Sequence, residues 1–246
     1  MELQQRPIWA AIGGGVIGSG LTAVLLLFAA PQFLASKIAR QGLLADPQIL
    51  RDSVDALQRQ DMEKAKAQQV SALAVNRAAI ETPFASSWKG AAKPDVTLVE
   101  FFDYACPYCK VVNPVVDRLI QEDKGVRVVY RELPIIGGEQ SQIAAYLSLV
   151  ASKAGRFPQF HDALWAAGRP SPETLAIASK AAGISPQQTG NDPQIEAEIN
   201  RNLRLAAQLQ PRGGGTPLFV IGDQVIDGAI PYEALKKVIA DARAKK

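Results

Sequence analysis

Seven residues from Val96 to Phe102 form a run of strand-favouring side chains, and four positions later Cys106-Pro107-Tyr108-Cys109 opens a helical pattern. Val96-Thr97-Leu98-Val99-Glu100-Phe101-Phe102 is long enough for a buried strand. Apolar residues then recur at Val111, Val112, Val115, Val116, Leu119 and Ile120, as on one face of a helix. Gly125 closes that helix, and Val126 to Tyr130 reads as a second strand. Strand, helix and strand make a βαβ unit, so the expected class is α/β, with the cysteine pair at a helix start. Pro107 suits the first helical turn, where its missing amide costs nothing.

The chain has 246 residues and only two cysteines, so no third thiol exists for a structural bridge. A CxxC bridge closes almost no loop and stabilises little, which favours a redox couple over a staple. The reactive species is the thiolate, and a helix N-terminus favours negative charge through its free amides and dipole. Cys106 is therefore expected to be the exposed nucleophile, and Cys109, one turn in, the buried resolving thiol. A structural zinc site needs about four ligands, and His161 is the sole histidine. No metal and no cofactor are expected, because the disulfide is itself the redox centre. His161, in a helical stretch, is given no catalytic role.

Ahead of this unit, Pro7 to Ser36 carries no charge, and Ile8 to Ala30 is apolar apart from Ser19 and Thr22. That length is enough to span a bilayer as a helix. A cleavable signal competes with this reading, but the candidate cleavage pairs Phe28/Ala30, Phe33/Ala35 and Leu34/Ser36 each put a large residue at −3. Residues 1–36 are read as a membrane anchor or uncleaved signal. Lys37, Arg40 and Arg51 follow the span, against Arg6 before it, so a literal charge count places the rest inside. Large domains translocate largely regardless of charge, and disulfide chemistry belongs in an oxidising compartment. The expected location is the inner membrane of a bacterium with the catalytic domain in the periplasm.

Residues 37–90 read as a helical extension. Asp46-Pro47 signals a helix start and Pro83 its end, with Leu50, Val54 and Leu57 forming a narrow apolar stripe. Two uses stand open, a spacer packed on its own domain or a stalk through which chains self-associate. Near the C-terminus, Gly215-Thr216-Pro217 precedes Leu218 to Ile221, a Gly222-Asp223 turn and Gln224 to Ile226, a β-hairpin, then a helix from Tyr232 to Arg243. The proline at that strand start is compatible with a cis peptide.

Glu100 to Lys110, together with Gly215-Thr216-Pro217 and Phe219-Val220-Ile221-Gly222, resembles the DsbA-like branch of the thioredoxin superfamily. The likeness covers about Pro94 to the C-terminus. It implies a thioredoxin fold interrupted by a helical subdomain, here about residues 137–210 of a domain spanning 91–246, where Ile143 to Ala154, Phe160 to Ala167, Pro172 to Ala182 and Ile195 to Leu209 all read as helical. It also implies that Thr216 and Pro217 form a cis-proline loop facing the disulfide. Glu100, six positions before Cys106, takes the place of the family's buried acid and would accept the proton of Cys109. Tyr108 departs from the strongly oxidising member, which has histidine there, so a less oxidising couple is expected. The extension and the Phe101-Phe102-Asp103-Tyr104 to Cys109 block look most like the ScsC-type (suppressor of copper sensitivity) subgroup, whose members can oligomerise and isomerise disulfides.

Mildly basic net charge, +3, is scattered rather than clustered and leaves no nucleic-acid footprint. The expected function is thiol–disulfide exchange on exported proteins, forming or reshuffling disulfides. Its partners would be unfolded or misfolded exported chains, an unidentified membrane redox partner and, through the stalk, further copies of the chain. Tyr104 and Tyr108, flanking the cysteines, are expected to offer substrate an apolar face. The alternative is a copper(I)-binding thiol module, since two thiolates are soft ligands.

Overall fold

A computed structural model describes residues 30–188 and 190–245 of the chain, with side chains described from residue 35 onward. The apolar run Ile8 to Ala30 lies outside the described residues except for its last backbone position. Among the described residues no helix is long and apolar enough to cross a membrane.

The contacts divide the chain into a small N-terminal unit ending at Met62 and a larger one from Glu63. In the first, helix α1 spans Ala30–Ala45, and helix α2 begins at Gln48 and continues to Glu81. Asp46 accepts the Gln48 amide at 3.0 Å, the expected start signal, one residue later than the proline would place it. Ile49, Leu50, Val54 and Leu57 are exposed, so the apolar stripe of α2 is uncovered within this unit.

The larger unit contains β1 (Trp88–Gly90), β2 (Val96–Phe102), α3 (Pro107–Glu122), β3 (Val126–Glu132), α4 (Glu139–Lys153), α5 (Phe157–Ala167), α6 (Pro172–Ala182), α7 (Pro193–Leu209), β4 (Leu218–Ile221), β5 (Gln224–Asp227) and α8 (Tyr232–Ala244). The sheet order is β1-β3-β2-β4-β5. Only β2 and β3 pair in parallel, as the βαβ unit requires; the other three pairs are antiparallel. Helices α4 to α7 fall between β3 and β4, where the insertion was expected. Strand β1 is an element the sequence does not predict, because three residues ending in glycine carry no periodic signal.

β2 is covered on both faces, which is why its sequence is a continuous apolar run rather than an alternation. Val96, Leu98 and Phe102 share a core with Val128, Tyr130 and Phe219 of the neighbouring strands and with α3, α5 and α8. Val99 and Phe101 face the opposite core, beneath Leu73 and Ile80 of α2 and Leu205 and Leu209 of α7. The C-terminal half of α2 is thus a structural layer of the catalytic unit.

Arg131 fixes that layer. It is 2% exposed, on the α2 side of β3. Its Nε donates to the Ile80 carbonyl at 2.9 Å, and its Nη2 to the carbonyls of Ala79 and Thr82. Its Nη1 donates to Glu198 Oε1 at 2.7 Å and Asn202 Oδ1 at 2.9 Å. All five donors are used, and the cation sits at the C-terminal end of α2, where the helix dipole favours it. Arg131→Met would strip the buried Glu198 carboxylate of its 2.7 Å partner, leaving Arg201 at 3.4 Å, and would orphan three carbonyls; it is expected to cost about 3–5 kcal/mol. Urea unfolding should show the midpoint fall with the slope unchanged, and Arg131→Met/Glu198→Leu should recover part of the loss. A single-variant loss below about 1 kcal/mol would sink this account.

Candidate active site

β2 is the central strand of the sheet, and Asp103 at its end turns the chain into α3. Its buried carboxylate receives four donors. Oδ1 accepts from the Ala105 amide at 2.8 Å and Ser141 Oγ at 2.6 Å, and Oδ2 from the amides of Ile135 and Ile136 at 2.8 and 2.7 Å. Its main-chain oxygen takes the Cys106 amide at 2.9 Å. One short side chain therefore sets the turn before the cysteines and the loop after β3. Cys106 is the N-cap of α3 with Pro107 next, and among the described residues no side chain caps the helix, so its first-turn amides are left open there.

Cys106 is not the exposed thiol expected. Both cysteines are free and buried, at 3% and 0% exposure for Cys106 and Cys109. Covering comes from the segment before β4, where Thr216-Pro217 is a cis peptide. The Cys106 thiol donates to the Thr216 carbonyl at 3.2 Å. The hydroxyl of Thr216 is buried without a full hydrogen bond to another protein group and lies beside Cys109. Of the expected site residues, Cys106, Cys109, Glu100, Thr216 and Pro217 come together.

Glu100 is 2% exposed, opposite Tyr130 of β3 and Phe219 of β4. Burial pushes its carboxyl up to about 8; Asp117 adds to the rise and Lys89 opposes it. The Cys109 thiol is pushed far above its ordinary range, first by burial and next by the Glu100 carboxylate. Acid and thiol thus oppose each other's ionisation, so both stay protonated near neutral pH and the two are not charged together. Lys89 reaches in from the edge strand β1, donating to Asp117 at 2.5 Å and Asp162 at 2.8 Å. No local pattern marked this lysine, because its strand went unread.

Tyr104 also departs from expectation. It is 3% exposed, not part of a substrate face. Its ring packs edge-on against Phe102 and near Trp165, and its hydroxyl lies 3.1 Å from both Ser148 Oγ and His161 Nδ1. His161 is 1% exposed and held well below its usual range by burial, hence neutral. It supports the turn and touches neither cysteine among its described partners. Tyr108 is exposed, as are Val111, Ile135 and Ile136, so the apolar rim near the pair comes from α3 and the β3–α4 loop. Glu132, a further buried acid raised by burial, went unnoticed because it ends the second strand with no motif around it. A cavity of about 790 Å³ in the insertion, lined in part by Tyr146, Lys153 and Asp192, involves none of these residues.

Residues 97–240 match the family described as the DSBA-like thioredoxin domain. The crystal structure of Proteus mirabilis ScsC in a transitional conformation superposes with a TM-score of 0.64 at 29% identity, covering 89% of this chain and 99% of that one. Disulfide bond formation protein D of Bacillus subtilis is 28% identical over 167 residues, 58% of this chain and 71% of that protein. The Na(+)/H(+) antiporter NhaA 1 of Salinispora arenicola is 27% identical over 162 residues, 63% of this chain. The chain spans 24% of that antiporter's length, so there the likeness is to a part of a longer protein. More than half of the chain carries the family match, and the cysteine pair, buried acid and cis-proline lie inside it: the chain belongs to the DSBA-like thioredoxin domain family.

Proposed function

We propose that the chain is a thiol:disulfide oxidoreductase acting on exported proteins, with the pair Cys106 and Cys109 as its redox centre. The observation that carries this reading is the Cys106 thiol at a helix N-terminus, 3.2 Å from the Thr216 carbonyl, with Cys109 and Glu100 behind it. In oxidation, a substrate thiolate attacks Cys106 Sγ of the enzyme disulfide. The Cys106–Cys109 bond breaks, a mixed disulfide forms, and the Cys109 thiolate takes a proton from Glu100. A second substrate thiolate attacks the substrate sulfur of the mixed disulfide and releases Cys106 as thiolate. Two electrons pass to the enzyme, and a membrane redox partner removes them. In isomerisation the reduced Cys106 attacks first, and Cys109 releases substrates that stall. Tyr108 in place of a histidine favours this second use, because it adds no positive charge beside the thiolate.

The oxidising compartment this chemistry needs supports a periplasmic location, with residues 8–30 as the membrane tether. The exposed stripe Ile49, Leu50, Val54 and Leu57 supports self-association through α2. Sedimentation of a chain lacking residues 1–36 should show an oligomer at tens of micromolar, and a monomer would end the stalk proposal. The copper(I) reading has two buried thiols in its favour, but its test is tight copper(I) uptake without any disulfide turnover.

Cys106→Ser should abolish refolding of both reduced and scrambled ribonuclease, whereas Cys109→Ser should accumulate Cys106 mixed disulfides visible on non-reducing gels. Wild-type protein inert toward both substrates would refute the enzyme reading.

Glu100→Gln is expected to slow mixed-disulfide resolution roughly 10- to 100-fold near neutral pH, by removing the carboxyl that exchanges a proton with Cys109. It should also stabilise the reduced protein in a pH-dependent way. Below about 4.5 the acid is protonated in both folded and unfolded chains, so the variant gains nothing. Between there and about 8 the folded state holds a proton that the unfolded chain has released, and wild-type stability falls as pH rises. Above that window the full difference, on the order of 5 kcal/mol, favours the glutamine variant. Urea melts at pH 4 and pH 9 measure it; equal gains at both would contradict the assignment.

A further inference from the structure

The loop that receives the Cys106 thiol is itself held by a side chain outside the recognised motifs. Gln210 caps the C-terminus of α7 and is 9% exposed. Its amide nitrogen donates to Asp227 Oδ1 at 2.5 Å and to the Gly215 carbonyl at 3.3 Å. Its own main-chain carbonyl accepts the Gly213 amide at 2.9 Å. The amide group lies where residue 214 would carry a side chain: a Cβ on Gly214 would stand 2.2 Å from both Cδ and Nε2 of Gln210. Gly213, at φ +81°, turns the chain there. Downstream, the Pro217 carbonyl takes the Gly228 amide at 2.8 Å, one residue after Asp227. Three glycines with little intrinsic order are thus pinned from both ends before the chain reaches Thr216.

We propose that Gln210 is a positioning residue for the redox pair: its amide, anchored by Asp227, fixes the Gly213–Gly215 segment so that the Thr216 carbonyl stays within reach of the Cys106 thiol. This rests on the oxidoreductase reading above. The latch decides how covered Cys106 is and how the edge beside Pro217 is presented to a substrate peptide. A cavity of about 270 Å³ flanks the segment, bounded by Lys66, Gln69, Gln210, Arg212 and Asp227, and gives a released loop room to move. Gln69 of α2 donates to the Leu209 carbonyl at 2.6 Å, so the α2 layer braces the same helix end.

Gln210→Glu keeps the shape and removes the donor. In the full chain, alkylation of Cys106 by iodoacetamide should rise about fivefold, the factor that one net hydrogen bond corresponds to. Exchange with a disulfide-bonded peptide should fall by about the same factor. Opposite movement of the two rates is the signature of a released loop. A role confined to packing would lower the melting temperature and leave both rates at the wild-type value, which would overturn the proposal. Gly214→Ala alone should depress exchange, and adding Gln210→Ala should restore part of it by vacating the space; strictly additive losses would also overturn it. That pair carries the test if Gln210→Glu fails to fold. Exchange by the wild-type chain judges the oxidoreductase reading, and the variant-to-wild-type ratios judge the latch, so the two fail separately.

Discussion

The pairing of β2 with its two neighbours is the constraint on which the site depends. β2 lies between β3, its parallel partner, and β4, its antiparallel one, so its C-terminal end meets elements drawn from distant parts of the chain. Phe101 stands opposite Leu218, and the residues just beyond each meet as the Cys106 thiol and the Thr216 carbonyl, 110 positions apart in sequence. A one-residue slip of β4 would turn Phe219 away from the α3 core and carry the proline loop off the thiol. The register is held because both faces of β2 are buried, and a slip would send every apolar side chain to the wrong core.

That same burial sets the chemistry. A carboxyl at the middle of a fully covered strand has no solvent to ionise into, so Glu100 keeps its proton to about pH 8, while Cys109 is held as a thiol by the same environment. Mutual repulsion keeps the two from being charged together. The fold bears an ionisable acid where an apolar residue would be more stable, and the two-sided packing around it offsets that cost. Arg131 on the opposite face obeys the reverse rule. Its charge stays because carbonyls and Glu198 meet every donor, and its role is to hold a layer rather than to react.

What could be read from the sequence was what local pattern controls. The cysteine spacing, the strand before it and the helix after it are contiguous, so the βαβ unit and the place of Glu100 were legible, and the hairpin and inserted helices fell within a few residues of their predicted bounds. What escaped was set by approach in space. Cys106 is covered by a loop that arrives from the far end of the chain, and Tyr104 is buried by rings from α5, so neither burial has a local signature. Lys89, Gln210 and Glu132 each sit in a stretch without motif, and the carboxylates that Lys89 and Gln210 bind lie 17 to 73 positions away. Arg131 lies just past the strand read to Tyr130 and carries no local signal, because only the meeting of α2 and α7 over β3 makes it a hub.

The helical insertion is tied to the redox turn by a chain of hydrogen bonds whose direction one residue decides. The Trp165 indole can only donate, and its partner is His161 Nε2 at 3.1 Å. Asn113 Oδ1 lies 3.2 Å from the same nitrogen and would need a proton there, so the two contacts compete. Trp165 is buried and Asn113 only half-buried, and an orphaned indole N–H costs more than a carbonyl that water can reach. The single proton of neutral His161 therefore resides on Nδ1 and is donated to Tyr104, whose hydroxyl hydrogen passes to Ser148. Beyond Ser148 lies Glu132, whose carboxyl burial pushes well up and Ser148 eases back down. The helices inserted between β3 and β4 thus orient Tyr104, two residues before the nucleophile, so the turn carrying Cys106 is held from the insertion as well as from the sheet.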